Sequence, residues 1–222
     1  MTKNKIDARL EQCKAEGRKA LITFITAGDG GYDCTEKAVL EMAKNGADLI
    51  ELGVPFSDPI AEGPVIQCAS ERSLRNGTTL VGIFDLVRRL RKETDVPLLL
   101  MMYLNTIFCF GTDRFFTLCE ECGVDGVIVP DIPFEEKDEI QGSADAHNVH
   151  NISLVTPASE DRIQMIASEA TGFLYCVSSN GVTGVRSQFQ TDFAPFFEKI
   201  HKYAKVPCAV GFGISGPEAA RE

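Results

Sequence analysis

Seven short apolar runs, each followed by an amphipathic stretch or a loop, set the cadence of this chain. The runs are Leu21–Thr26, Ala47–Leu52, Pro97–Tyr103, Gly126–Val129, Ile152–Val155, Phe173–Val177 and Cys208–Gly211. Runs that are apolar at almost every position belong to strands buried on both faces, the situation of a parallel sheet covered by helices. The stretches between them carry the helical period. Ile163, Ile166, Ala167 and Ala170 fall at i, i+3, i+4 and i+7, and a pattern through Val39, Met42 and Ala43 stops at Asn45-Gly46. One further amphipathic segment, Ile6 to Ala15, precedes the first run. A repeat of roughly 25 to 35 residues is the length of a βα unit. Such units close either as an open doubly wound sheet or as a (β/α)8 barrel. No G-x-G-x-x-G follows the first run, so the open dinucleotide-binding sheet lacks its marker. No Pro/Gly/Ser-rich linker divides the chain. The expected fold class is α/β, a (β/α)8 TIM barrel, with residues 1–222 forming a single domain.

Composition narrows the partners. Twenty-two basic against 32 acidic residues give a formal charge of −10, and no basic run is present, so a polyphosphate backbone is repelled. A small phosphorylated substrate stays compatible, because backbone N–H groups at a helix start hold phosphate without a basic patch. Of eight cysteines only Cys119 and Cys122 form a C-x-x-C, inside a helical pattern ending at Gly123. With no second cysteine or histidine pair, no metal site is expected there, and the two are expected as buried reduced thiols. His147 and His150 are expected to be solvated beside a turn. The first twenty residues carry no apolar run, and Val96–Phe110 is too short to span a bilayer, so a cytoplasmic location is expected.

In a barrel the chemistry lies where strands run into loops. Glu51 stands out, a carboxyl inside Leu49-Ile50-Glu51-Leu52, where an unpaired charge costs several kcal/mol. Position alone leaves it two roles: a proton donor and acceptor with a raised pKa, or a structural carboxylate tied to a neighbouring strand. Glu62 follows on a loop rich in proline and glycine, where by itself it is a solvated loop charge. Asp58 and Asp131 adjoin prolines and suit turn capping. Gly181-Val182-Thr183-Gly184 and Gly211-Phe212-Gly213-Ile214-Ser215-Gly216 suit backbone cradles for phosphate after late strands. No strand end carries a lysine placed for Schiff-base chemistry, which weighs against a sugar-phosphate aldolase, although another phosphate-binding barrel remains open.

Taken together, ELGVPFSDPIAEGPVIQ (Glu51 to Gln67), Tyr103-Leu104-Asn105, Val129-Pro130-Asp131-Ile132-Pro133 with Glu135-Glu136, SSNGVTGVR (Ser178 to Arg186) and GFGIS (Gly211 to Ser215) resemble the tryptophan synthase alpha chains. The motifs occur in order over nearly the whole chain. The resemblance implies a lyase that cleaves indole-3-glycerol phosphate to indole and glyceraldehyde 3-phosphate. It places Glu51 on the main acid/base and Glu62 on the second carboxylate, which clamps the indole N–H. It places Phe24 and Tyr175 near the indole, Thr183 among the substrate-binding positions, and Gly184, Phe212 and Gly213 on the phosphate. It also implies a beta chain partner in an α2β2 assembly, with pyridoxal phosphate in that partner and no cofactor in this chain. The loops after the second and third runs resemble the family's surface for that partner. Three departures accompany the resemblance. Glu62 stands where the family usually has Asp, Thr106 replaces a common proline, and the family's pattern continues past GFGIS into an eighth strand. The barrel is therefore expected to be incomplete at its C-terminal end. A catalytically weak subunit that activates the beta partner is the alternative of a different class.

Overall fold

The computed structural model describes residues 3–177, 193–211, 214 and 216–218. Two compact units are distinguished, one from residues 1–59 and 67–151, the other from 60–66 and 152–222. The elements up to residue 151 run α1 (Lys5–Ala15), β1 (Ile22–Thr26), α2 (Tyr32–Lys44), β2 (Leu49–Gly53), α3 (Pro64–Arg75), α4 (Leu80–Leu90), β3 (Leu98–Met101), α5 (Leu104–Phe110), α6 (Thr112–Cys122), β4 (Gly126–Ile128), α7 (Asp138–Ala146) and β5 (His150–Asn151). Strands β1 to β5 form one parallel sheet in sequence order. In the second unit, β6 (Leu154–Val155), β7 (Leu174–Val177) and β8 (Cys208–Gly211) form a parallel sheet in sequence order, with α8 (Ile163–Glu169) and α9 (Phe193–Tyr203) between them.

Alternation sorts the first sheet into two faces. Ile50, Leu52, Leu98, Leu100 and Val127 pack into one apolar cluster with helix residues such as Val39, Phe84, Phe115 and Phe116. Leu49, Leu99 and Ile128 are equally buried but stand outside that cluster, on the opposite face, where the parity of β2 also sets Glu51. The sequence shows no such alternation, because both faces are buried.

A shared device anchors the strand starts. In Gly46-Ala47-Asp48-Leu49-Ile50 and Gly123-Val124-Asp125-Gly126-Val127 a glycine with positive φ (100° and 83°) ends a helix, and an aspartate follows two residues later. Each aspartate accepts a backbone N–H at the start of the preceding strand, from Leu21, just before β1, to Asp48 at 2.8 Å and from Leu98, the first residue of β3, to Asp125 at 2.9 Å. Each also meets arginine. Arg18 donates to both Asp48 oxygens at 2.8 and 2.9 Å and Arg9 donates at 2.9 Å, while Arg91 reaches Asp125 at 2.7 Å. Arg91 further donates to the carbonyls of Gly123 and Val96. Neighbouring strand starts are thus tied by charge-assisted bonds, stronger than neutral ones.

Several expectations change. The fifth run is strand only in its second half: residues 154–155 pair with β7, a separate strand at residues 150–151 pairs with β4, and Ile152 and Ser153 lie between the two. His147 and His150 are half-buried and each meets a carboxylate, rather than standing free in solvent. His147 Nδ1 lies 2.6 Å from Glu120 Oε2, and His150 Nε2 lies 3.0 Å from Asp7 Oδ2, because the chain here packs against α6 and α1. Helix α5, which has no marker of its own in the apolar run, receives its cap from elsewhere: Asp131 Oδ1 accepts the Leu104 N–H at 2.9 Å. Cys119 and Cys122 are buried free thiols, as expected. Among the described residues no helix is long and apolar enough to cross a membrane.

Burial opposes the charge of Asp48, yet the bonds from Arg18, the Leu21 N–H and Cys13 outweigh it and hold the carboxyl well below the usual range. Asp48→Asn is therefore expected to cost about 2–3 kcal/mol in urea unfolding near neutral pH, less than a fully buried pair because the arginines are partly exposed. The stabilisation exists above the unfolded-state pKa of about 3.9 and is lost as pH falls toward the folded value, so the two chains draw together below about pH 4.

Candidate active site

Glu51 occupies the middle of β2, a strand buried along its whole length, and is itself only 4% exposed. Its register partners are Phe24 on β1 and Leu99 on β3. Among the described residues no donor or cation reaches its carboxyl, and burial alone pushes its pKa up to about 8. Asp48, three residues earlier and equally shielded from solvent, is driven the other way because arginines and a backbone N–H meet it. There the partners outweigh the cost of burial, and at Glu51 the described residues supply none to offset it. A carboxyl of this kind holds its proton at neutral pH and becomes a strong base once it has given it up.

The Phe24 ring is the least buried member of the group, at 36% exposure. It lies over Gly53, where a Cβ would come within 2.5 Å of Phe24 Cζ. Beyond the strand ends, Phe56 and Tyr103 stack at 5.0 Å between centroids. The loop leaving β1 is held by a bidentate pair, Arg72 to Asp29 at 2.8 and 2.7 Å, and by the Ser73 hydroxyl on the Ala27 carbonyl at 2.6 Å. Among the described residues no group of three or more His, Cys, Asp or Glu side chains is placed to hold a metal ion.

The second unit repeats one feature. Tyr175 on β7 is 9% exposed, and its phenol lies over Gly211, where a Cβ would come within 2.1 Å of the hydroxyl oxygen. Glu62, half-buried, belongs to the same unit as Tyr175. Thus Phe24 and Glu51 are brought together as cross-strand neighbours, and Glu62 and Tyr175 belong to the other unit. Thr183, Gly184, Phe212 and Gly213 lie outside the described residues. Asp131 serves as the α5 cap and Asp58 bonds the neighbouring Ser57 hydroxyl at 2.5 Å. Gly53 was not singled out from the sequence. The available signal was a glycine inside a strand, which marks a close approach.

The family model described as tryptophan synthase alpha chain matches residues 10–222. The chain belongs to the tryptophan synthase alpha family. Curated relatives bearing that name include those of Caldanaerobacter subterraneus, 46% identical over 99% of this chain and 84% of its own length, and Geobacter sp. strain M21, 48% identical over 99% and 82%. Among solved structures, the alpha chain of Legionella pneumophila superposes with a TM-score of 0.87 at 37% identity, over 98% of this chain and 80% of its own. A chain from the tryptophan synthase α2β2 complex of Pyrococcus furiosus superposes with a TM-score of 0.83 at 33% identity, over 91% and 82%. The fold class is accordingly that of the (β/α)8 barrels, and the reaction is the lyase cleavage of indole-3-glycerol phosphate to indole and glyceraldehyde 3-phosphate. A different phosphate-binding barrel and an inactive subunit are not favoured.

The raised pKa of Glu51 has a consequence for stability. Its contribution is complete below the ordinary carboxylate value and is lost as pH rises through about 8. From about pH 5 to about pH 9 the wild-type chain is expected to lose up to about 4 kcal/mol relative to Glu51→Gln in denaturant unfolding. Parallel stability curves for the two chains would mean that the carboxyl has a compensating partner.

Proposed function

We propose that Glu51 is both the acid and the base of the cleavage, and the observation that carries this is its burial beside Phe24 with no counter-charge among the described residues. The protonated carboxyl gives its proton to the indole ring carbon that bears the side chain. That carbon becomes tetrahedral and positive charge develops on the ring nitrogen. The carboxylate left behind, in apolar surroundings, is basic enough to take the proton of the side-chain hydroxyl next to the scissile bond. As that O–H breaks, the aldehyde C=O forms and the C–C bond electrons return to the ring, giving indole and glyceraldehyde 3-phosphate. Protons balance, since the one given to carbon is replaced by the one taken from oxygen.

The remaining roles belong to the same reading. Glu62 accepts the indole N–H and opposes the positive charge on nitrogen, Phe24 and Tyr175 flank the ring, and Thr183 contacts the substrate. Gly184, Phe212 and Gly213 hold the phosphate through backbone N–H groups. Residues 1–222 act as one barrel domain. Indole passes to a beta chain carrying pyridoxal phosphate in an α2β2 assembly, this chain uses no cofactor of its own, and it works in the cytoplasm.

Indole release from indole-3-glycerol phosphate by the purified chain, alone and with a beta chain, tests the reading. Glu51→Gln is expected to lower kcat by about 10³-fold or more with KM little changed. In the wild type, activity is expected to fall above about pH 8, where Glu51 no longer carries a proton to give. Glu62→Ala is expected to cost about 10²-fold and Glu62→Asp far less, since the carboxylate is kept. Undiminished turnover by Glu51→Gln would overturn the proposal.

A further inference from the structure

Gly53 sits inside β2 with no positive φ, so its backbone conformation is open to any residue and does not require glycine. Its need is spatial. A Cβ there would lie 2.5 Å from Phe24 Cζ and 2.8 Å from Phe24 Cε2, while the next nearest atom, the Ile25 carbonyl oxygen, is at a comfortable 3.6 Å. The conflict is therefore entirely with one ring. Phe24 faces Glu51 across the β1–β2 register, and Gly53 follows Glu51 by two residues on the same face of β2.

We propose that Gly53 is a positioning residue, whose missing side chain seats the Phe24 ring against Glu51 and so keeps water from that carboxyl. The inference rests on the reading of Glu51 as proton donor and acceptor. Ordinary carbon contacts lie at about 3.5–4.0 Å, so a methyl group at Gly53 would displace the ring by about 1 Å or more. Phe24, at 36% exposure, has open space to move into. The displaced ring would uncover Glu51, which among the described residues has no donor or cation to hold it, and would intrude on the space where the proposed indole lies. Both effects originate in the same two side chains, which makes them separable from a general loss of structure.

Four chains provide the test: wild type, Gly53→Ala, Phe24→Leu and the double variant. In each, the Glu51 carboxyl is titrated by 13C NMR, with its signal assigned by its absence in Glu51→Gln, and kcat and KM for indole release are measured. Gly53→Ala is expected to lower the Glu51 midpoint by about one unit or more and to raise KM severalfold. In the Phe24→Leu background the same exchange is expected to change neither, because the clashing ring is gone. An unchanged midpoint in Gly53→Ala, or an equal shift with and without Phe24, overturns the inference. Should Gly53→Ala be insoluble, Phe24→Leu is expected to restore the soluble chain, and a double variant just as insoluble overturns it too. If Glu51→Gln keeps full activity while Gly53→Ala still shifts the midpoint, the catalytic reading fails and the packing inference stands.

Discussion

A carboxyl buried in the middle of a parallel strand, with no described counter-charge, is the constraint on which the rest of this structure turns. Desolvation of an ion in such a place costs several kcal/mol, so the group escapes the cost by keeping its proton. That requirement shapes its surroundings: Leu99 on one neighbouring strand, the Phe24 ring on the other, and the side-chain-free Gly53 that leaves room for the ring. The group that burial disfavours as an ion is thereby the one able to protonate carbon at neutral pH.

Opposite ends of the strands divide the work. At the N-terminal ends, Asp48 and Asp125 are buried together with arginines and backbone N–H donors, and their charges lock neighbouring strand starts. From the middle of β2 toward the C-terminal ends of the strands, Glu51 has no partner among the described residues. The difference is the one seen throughout barrel enzymes, with stability at one face and chemistry at the other. Here it is visible within a single strand, since Asp48 and Glu51 are three residues apart and their pKa values are driven in opposite directions.

Strand positions were legible because β-rich apolar runs bounded by glycine are strong local signals, and Leu49-Ile50-Glu51-Leu52 advertised a charge in an apolar setting. Which face each residue takes was not legible. Runs buried on both sides carry no alternation to read, so the separation of Glu51 from Ile50 and Leu52 needed the packing itself. The break between His150–Asn151 and Leu154–Val155 depends on two different pairing partners, the cap of α5 on Asp131 lies 27 residues away in sequence, and the histidine partners Glu120 and Asp7 are likewise distant. Phe24 and Tyr175 came only through family resemblance, since an aromatic inside an apolar run looks like core. Both turn out to lie over a strand glycine, a relation written across two strands rather than along one.

The protonation state of Glu51 at neutral pH is the central claim, and infrared spectroscopy measures it most directly. In the difference spectrum between the wild-type chain and Glu51→Gln, a protonated-carboxyl C=O band should be present near neutral pH and should titrate away with a midpoint near about 8. A difference spectrum showing only carboxylate bands at neutral pH, with the proton lost near the ordinary value of about 4.3, would contradict the account.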